Sequence, residues 1–430
     1  MKNYHIAVVG LGFIGLPLSL SYAMEGANVI GIDVNENLVE QINRGISHHL
    51  EYYNQKSLQE ILQEQLASGR FRATTSYEEA AKVSDNYIIT VGIDVKNGEP
   101  QLANIKSAMH QLAAVLKKGD LVLVRSTVIP GTTEELVKPI LEQSGLKAGE
   151  DFYLAYSSER IAEGRAFEEF RTMPLAVGGV NEISRKKAKE LLEFVTKAEI
   201  HETEILIVET AKVIENVQRD VNIAMTQEFA RLAEAMGIDT FELIKIANTH
   251  KRVNLLMPGP GVGGYCLPNA LYYLLPKAEE HNVSLDLLRR ARQINDSMPA
   301  FIVEEVTKAL EKQGKTARDA KVAVLGLAMK DFSNDDRISP PHDIVQLFIE
   351  KGMKVAAYDP AVPKEYDYKV NSLDEAVENA DALVYVTVQK EFLEIDWDAV
   401  VEKMNDNPII YDAKNRVPKN LKEKVTLIRL

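Results

Sequence analysis

Cys266 is the only cysteine in a chain of 430 residues, and it lies within the stretch 259–271, GPGVGGYCLPNAL. A lone thiol is either a small buried hydrophobe or a reactive group. The glycines at 259, 261, 263 and 264 favour the second reading. They suit a bent loop whose backbone approaches a ligand closely, where the sulfur is exposed and can act as a nucleophile. Far upstream, Lys212 and Asn216 stand four residues apart on one face of a helical pattern. They read either as part of a solvated face or as groups pointing together into a cleft.

A second kind of chemistry is written at the N-terminus, in HIAVVGLGFIGLPLSLSYAMEGANVIGIDVNE (5–36). An apolar strand from Ile6 to Val9 runs into Gly10, Gly12 and Gly15 at G-x-G-x-x-G spacing. A helical pattern follows, then a second strand with Asp33 at its end. This is the context a dinucleotide requires: a tight turn, close approach of pyrophosphate to a helix N-terminus, and an acid for the adenosine ribose hydroxyls. Asp33 would repel a 2′-phosphate and no arginine follows it at 34–37, so NAD is expected rather than NADP.

These groups need elements to hold them. KVAVLGLAMK (321–330) echoes HIAVVGLGFI, GMKVAAYDPAV (352–362) echoes GANVIGIDVNE, and DALVYVTV (381–388) echoes DNYIITVG (85–92). Two Rossmann-like, doubly wound α/β halves are implied. The second has Ala328 and Met329 in place of Gly12 and Phe13, lacks the third glycine, and inserts a charged, proline-rich stretch before Asp359. It reads as a related fold adapted to a different nucleotide. Between the halves, apolar residues at 214, 217, 221, 224, 225, 229, 232 and 236 predict a long helix from about Glu204 to Met236, stopped by Gly237. That helix would bridge the halves and pair with its copy in a second subunit. The expected domains are 1–200 (NAD-binding), 201–298 (helical linker and dimerisation) and 299–430 (binding the second nucleotide). Thr132 and Glu135 have capping-box spacing ahead of a further helix.

With 46% hydrophobic and 26% charged residues, the chain has the composition of an ordinary soluble protein. A single cysteine excludes an intramolecular disulfide. The start MKNYHIAVVG lacks a signal-peptide pattern and no apolar run reaches the length of a membrane span, so a cytoplasmic location is expected. The net charge of −13 argues against a general nucleic-acid or anionic-membrane binder. No metal is expected. An anionic substrate must be held by locally placed cations and backbone N–H groups.

In order along the chain, GLGFIGLP, STVIPGTT (126–133), SSERIAEGRAFEEFRTMPLAVGG (157–179), ETAKVIENVQRDVNIA (209–224), ANTHKRVNLLMPGPGVGGYCLP (247–268) and GLAMKDFSNDDRISPPHDI (326–344) resemble motifs of the UDP-glucose/GDP-mannose dehydrogenase family. ERIAEG followed by EEFR, and HKRVN ahead of PGPGVGG, are similar to the branch acting on UDP-N-acetylhexosamines, UDP-N-acetylmannosamine above all. The resemblance implies oxidation of a C6 alcohol to a carboxylate with two NAD. Cys266 would add as thiolate to the intermediate aldehyde, giving a thiohemiacetal and then a thioester that water cleaves. Lys212 and Asn216 would hold the negative oxygen of each tetrahedral or alkoxide state, and the positive charge of Lys212 would favour the thiolate. Glu159 would assist thioester hydrolysis, and Thr127 would orient water and the reacting hydroxyl. Without the resemblance, Glu159 reads as an exposed loop residue and Thr127 as the end of an apolar strand.

The coenzyme set implied is Gly10, Gly12, Phe13, Ile14, Gly15, Asp33, Thr90 and Thr127. The substrate set is Glu159, Arg160, Lys212, Asn216, Arg252, Gly263, Lys330 and Arg337, with Arg252 reaching a neighbouring subunit in a homodimer. Two departures stand out. The family usually has an aspartate four residues after the cysteine, and this chain has Ala270 there, after Asn269. In TVGIDVKNGEPQL (90–102) the usual proline after the threonine is missing. The first leaves open a weakened paralogue that binds nucleotide sugar and NAD; a two-electron hydroxyacid-type dehydrogenase is a further alternative, opposed by the thiol loop and the second half.

Overall fold

The computed structural model describes residues 4–47, 49–162 and 164–430. The chain forms two compact units, Met1–Glu215 with Tyr272–Val283, and Asn216–Leu271 with Ser284–Leu430. The helical middle of the sequence contributes to both.

The first unit is built on an eight-stranded sheet. Its strands are β1 (His5–Val9), β2 (Asn28–Ile32), β3 (Phe71–Thr74), β4 (Asn86–Ile89), β5 (Leu121–Val124), β6 (Tyr153–Tyr156), β7 (Leu175–Gly179) and β8 (Ile200–Thr203). They lie in the order β8-β7-β6-β5-β4-β1-β2-β3. Every pair is parallel except β6–β7. Runs such as LVLV (121–124) and IAVV (6–9) are covered on both faces, which is why they are continuously apolar rather than alternating. Val9 at the end of β1 pairs with Ile32 and with Ile89, so β1 is where the strand order reverses. The crevice outside its carboxyl end is the ligand position of such sheets.

The second unit repeats this plan with five parallel strands: β9 (Lys321–Leu325), β10 (Lys354–Tyr358), β11 (Ala382–Tyr385), β12 (Ile409–Asp412) and β13 (Thr426–Arg429), ordered β10-β9-β11-β12-β13. Val322 and Val324 enter one core with Ile302, Val306 and Phe348, while Ala323 and Leu325 enter the opposite core with Val377 and Val400. The inserted stretch before the helix Pro340–Glu350 is irregular, and Phe332 and Ile338 within it have φ of 56° and 47°. Non-glycine residues rarely adopt that region, and such strain gathers at ligand sites.

The long helix runs Ile205–Met236, and Gly237 ends it with φ 70°. Val217 and Ala224 are buried, whereas Ile214, Met225, Phe229, Leu232 and Met236 are exposed. The anticipated capping box at Thr132 does not form. Thr132 Oγ1 donates instead to Ile129 O at 2.6 Å, and Glu135 accepts from Lys277. The turn is held by the buried Glu209, whose carboxylate accepts from Gly131 N (2.6 Å), Thr133 N (2.9 Å) and Thr133 Oγ1 (2.6 Å). Burial pushes the Glu209 carboxyl up, and these hydrogen bonds oppose the shift.

Candidate active site

In the first unit the glycine turn is fixed by sterics. Gly10 has φ +94°, and a Cβ on Gly15 would stand 1.8 Å from Gly10 O. A Cβ on Gly12 would meet nothing within 4 Å, so that edge is open to a pyrophosphate. Thr90 Oγ1 clamps the turn from β4, donating to Val9 O (2.9 Å) and Gly10 O (2.8 Å). The helix Gly15–Met24 starts after Ile14 with no side-chain cap. Leu16 N and Leu18 N already donate to Gly12 O (3.3 Å) and Ile14 O (3.0 Å) and Pro17 has no N–H, so the turn faces a ligand with the positive end of the helix and the Gly15 N–H. Phe13 lies against the His49 ring, with centroids 5.2 Å apart. Asp33 follows β2 as expected, accepting from Leu11 N (2.8 Å) and Asn35 N (2.9 Å). A 2′-phosphate would meet this carboxylate, a like-charge contact costing several kcal/mol. Steady-state kinetics should therefore give a kcat/KM for NADP roughly two orders of magnitude or more below that for NAD; equal values would remove this role from Asp33.

The carboxyl ends of β5 and β6 carry the next group. Thr127 is half-buried three residues beyond β5, in the loop rather than at the strand end. Glu159 is buried, not exposed, because Arg125, at the end of β5, forms an ion pair with its carboxylate. Glu159 Oε1 also accepts from Arg160 N (2.8 Å) and Ile161 N (3.2 Å). The hydroxyls of Ser157 and Ser158 beside it are enclosed without partners. Arg160 turns aside, to Glu215 at 2.5 Å and Pro174 O at 3.0 Å. Lys212 is buried on the long helix, with no carboxylate paired to it among the described residues. Its expected partner one turn on, Asn216, belongs to the second unit, is 4% exposed, and has an enclosed Nδ2 without a partner. One turn further, the buried Asp220 accepts from Arg292 Nη1 (2.6 Å) and Asn295 Nδ2 (2.9 Å), locking the helix Asp286–Asp296 to the long helix.

In the second unit the glycines of the thiol loop permit close packing on the strained insertion. A Cβ on Gly263 would lie 2.6 Å from Ile338 O, and one on Gly261 2.9 Å from Pro340 Cβ. Gly264 N donates to Ile338 O at 3.0 Å. Cys266 is exposed, but it is the first residue of the helix Cys266–Glu280 rather than a loop residue. Pro268 fits there because first-turn N–H groups have no intrahelical acceptor to lose. Asn269 and Ala270 are both buried.

Cavities of about 200 Å³ and 640 Å³ share Met257, Pro258, Asp331 and Lys414. Lys330, Gly261 and Thr387 line the smaller; Phe241, Lys245 and Arg416 line the larger. Neither lining includes Arg337 or Arg252. Arg337 forks onto Asp335 at 2.8 and 2.6 Å and lies over the Tyr265 ring, 5.8 Å from its centroid. Arg252 is exposed on the segment leading to the thiol loop. The sequence reading passed over Lys414 and Arg416, although they directly follow β12, at the strand end where such folds bind ligands.

Among the described residues there is no cluster of His, Cys, Asp and Glu that could hold a metal ion, and no helix long and apolar enough to cross a membrane. The arrangement offers a dinucleotide cradle, a buried carboxylate and a buried ammonium on one unit, and an exposed thiol, amide donors and a cation-lined cavity on the other.

Residues 4–196, 207–297 and 323–419 match, in turn, the NAD binding domain, the central domain and the UDP binding domain of the UDP-glucose/GDP-mannose dehydrogenase family. A UDP-N-acetyl-D-mannosamine dehydrogenase of Pyrococcus horikoshii is 38% identical over 410 residues, 95% of each chain. A solved structure of a UDP-D-ManNAc dehydrogenase from the same organism superposes with a TM-score of 0.91 at 37% identity, covering 99% of this chain and 98% of that one. An NDP-N-acetyl-D-galactosaminuronic acid dehydrogenase from Methanosarcina mazei superposes with a TM-score of 0.84 at 30% identity, covering 100% and 95%. With all three domains of the family matched in order and relatives of 30% identity or more aligned over nearly the whole length, the chain belongs to the UDP-glucose/GDP-mannose dehydrogenase family.

Proposed function

We propose that this NAD-dependent dehydrogenase oxidises the C6 alcohol of UDP-N-acetyl-D-mannosamine to the uronate. The observation that carries the reading is the chain's single thiol, exposed at the start of a helix, in a protein whose full-length relatives bear that enzyme name. Bound NAD supplies a hydride acceptor for each of two oxidations. Thr127 orients the hydroxyl and a water that takes its proton and passes it to solvent, and Lys212 with Asn216 Nδ2 stabilises the alkoxide. The Cys266 thiolate then bonds to the aldehyde carbon, giving a thiohemiacetal. Loss of the second hydride leaves a thioester, and water positioned by Glu159 adds to it, breaking the C–S bond and returning the thiolate. Lys330, Arg337 and Gly263 are assigned to the nucleotide sugar, together with Lys414 and Arg416; Arg160 orders the Glu159 loop. Domains of 1–200, 201–298 and 299–430 serve coenzyme, assembly and nucleotide sugar. A cytoplasmic reaction is proposed with it, in keeping with a soluble coenzyme and nucleotide sugar.

The test is the number of NADH released per sugar nucleotide, measured across UDP-N-acetylmannosamine, its gluco and galacto epimers and UDP-glucose. Two NADH with the manno epimer, at the highest kcat/KM of the panel, is expected. One NADH would leave a two-electron enzyme, and none would leave a binding paralogue.

A homodimer is proposed on the apolar side of the long helix, where Met225, Phe229, Leu232 and Met236 recur at helical spacing and stay exposed. Leu232→Glu should dissociate it to monomer in light scattering and, because Arg252 is assigned to the neighbouring site, reduce activity with it. A fully active monomer would refute both assignments.

A further inference from the structure

The first turn of the helix Cys266–Glu280 reads Cys, Leu, Pro, Asn, Ala. Cys266 and Asn269 stand at i and i+3, so their side chains share one face, with Cβ atoms roughly 5–6 Å apart. Asn269 is 5% exposed, and its Nδ2 is enclosed with no hydrogen-bond partner. Leaving such a donor unmade costs roughly 1–3 kcal/mol, and nearly all buried polar groups avoid it. Asparagine is also a poor helix former and packs no better than an apolar residue of its size. Ala270, fully buried, adds no polar atom to this turn. Folding alone therefore gives Asn269 nothing to do, while its position beside the sulfur gives it one candidate acceptor: an oxygen on the carbon that the sulfur holds.

We propose that Asn269 is a further catalytic residue, its Nδ2 donating a hydrogen bond to the oxygen on C6 while that carbon is bonded to Cys266. The assignment rests on the thioester route proposed above. At the thiohemiacetal stage the acceptor is the C6 hydroxyl oxygen. At the thioester stage it is the carbonyl oxygen, which takes the negative charge when water adds and returns the electron pair as the C–S bond breaks. A neutral amide cannot take a proton from that water, so Asn269 acts as a donor and the proton goes elsewhere, to Glu159 or to solvent.

The test compares Asn269→Ala and the isosteric Asn269→Asp with the unaltered enzyme, using UDP-N-acetylmannosamine and NAD. Removal of one such donor acts on the scale of roughly 10²- to 10³-fold in kcat. Both variants should lose kcat by about that factor, with the KM for the sugar nucleotide changed by less than roughly threefold. A first-turnover burst of NADH should persist, and intact-mass measurement should find acyl adduct accumulating on Cys266. Asn269→Asp keeps the shape but not the donor, so native kcat in that variant assigns Asn269 to packing and overturns the proposal. So does a loss confined to KM, or a loss of kcat without adduct. If the unaltered enzyme fails to release two NADH or to form an adduct on Cys266, the thioester route falls first and this assignment with it. Native turnover with indifferent Asn269 variants sinks this assignment alone.

Discussion

Cys266→Ser should still bind UDP-sugar and NAD with near-native affinity, while acid formation falls by at least roughly three orders of magnitude, the scale on which removal of a nucleophile acts. Binding survives because the loop is shaped by glycine contacts with Ile338 and Pro340, which the substitution leaves untouched. Chemistry fails because a serine hydroxyl is neither ionised enough to add to the aldehyde nor a good enough leaving group for the acyl stage. The two oxidations should separate. Hydride loss from the alcohol needs a group to take the hydroxyl proton and a stabiliser for the alkoxide, and neither is the sulfur. Slow release of about one NADH with accumulation of the C6 aldehyde is therefore expected, detected by hydrazine trapping and by the fall in stoichiometry. The exposure of Cys266 already weighs against a packing role, and thermal stability should change little. Undiminished two-NADH turnover in this variant would falsify the covalent route.

The parts of the molecule that could be read from sequence are those fixed by contacts close along the chain. Gly10 and Gly15 are demanded by a turn five residues long, and Asp33 by the strand that follows the next helix, so spacing alone identifies them. The repeat in the second half was equally legible as fold, since Asp359 accepts from Leu327 N (2.7 Å) as Asp33 accepts from Leu11 N. Its chemistry was not. Asp359 is 1% exposed and also takes Ala328 N, Ala361 N and Val362 N, so its carboxylate is consumed inside the domain rather than offered to a ribose. The capping box at Thr132 failed for a related reason: Glu209, contributed by the long helix, satisfies the same turn, and no local pattern announces it. The helix that opens at Cys266 was hidden by its own composition, because glycines before it and prolines within it read as loop. Lys414 and Arg416 carried a usable signal, a basic pair directly after a parallel strand, that the internal repeat overshadowed.

The Arg125–Glu159 pair belongs to the same hidden class, and removing half of it should give the largest stability change of any single substitution considered. The partners come from the ends of neighbouring strands, 34 residues apart, and both are buried. Arg125→Met leaves the Glu159 carboxylate enclosed with only the Arg160 and Ile161 N–H groups, and stranding one member of a buried pair costs about 3–5 kcal/mol. In a unit of this size that corresponds to a fall in Tm of roughly 6–20 °C, measurable by calorimetry. Arg125→Lys should recover part of the loss, because a point charge compensates the carboxylate without the planar fork. The informative variant is the double, Arg125→Met with Glu159→Gln. Replacing both partners by neutral groups of similar volume is often close to neutral, so most of the stability should return. Activity should not. If Glu159 positions the water that cleaves the thioester, the stable double variant will bind coenzyme, release its first-turnover NADH and stall with acyl enzyme on Cys266. Restored stability together with native turnover would instead make the pair a structural device, and the water would have to be positioned by other groups near the site, with the enclosed hydroxyls of Ser157 and Ser158 the first to test.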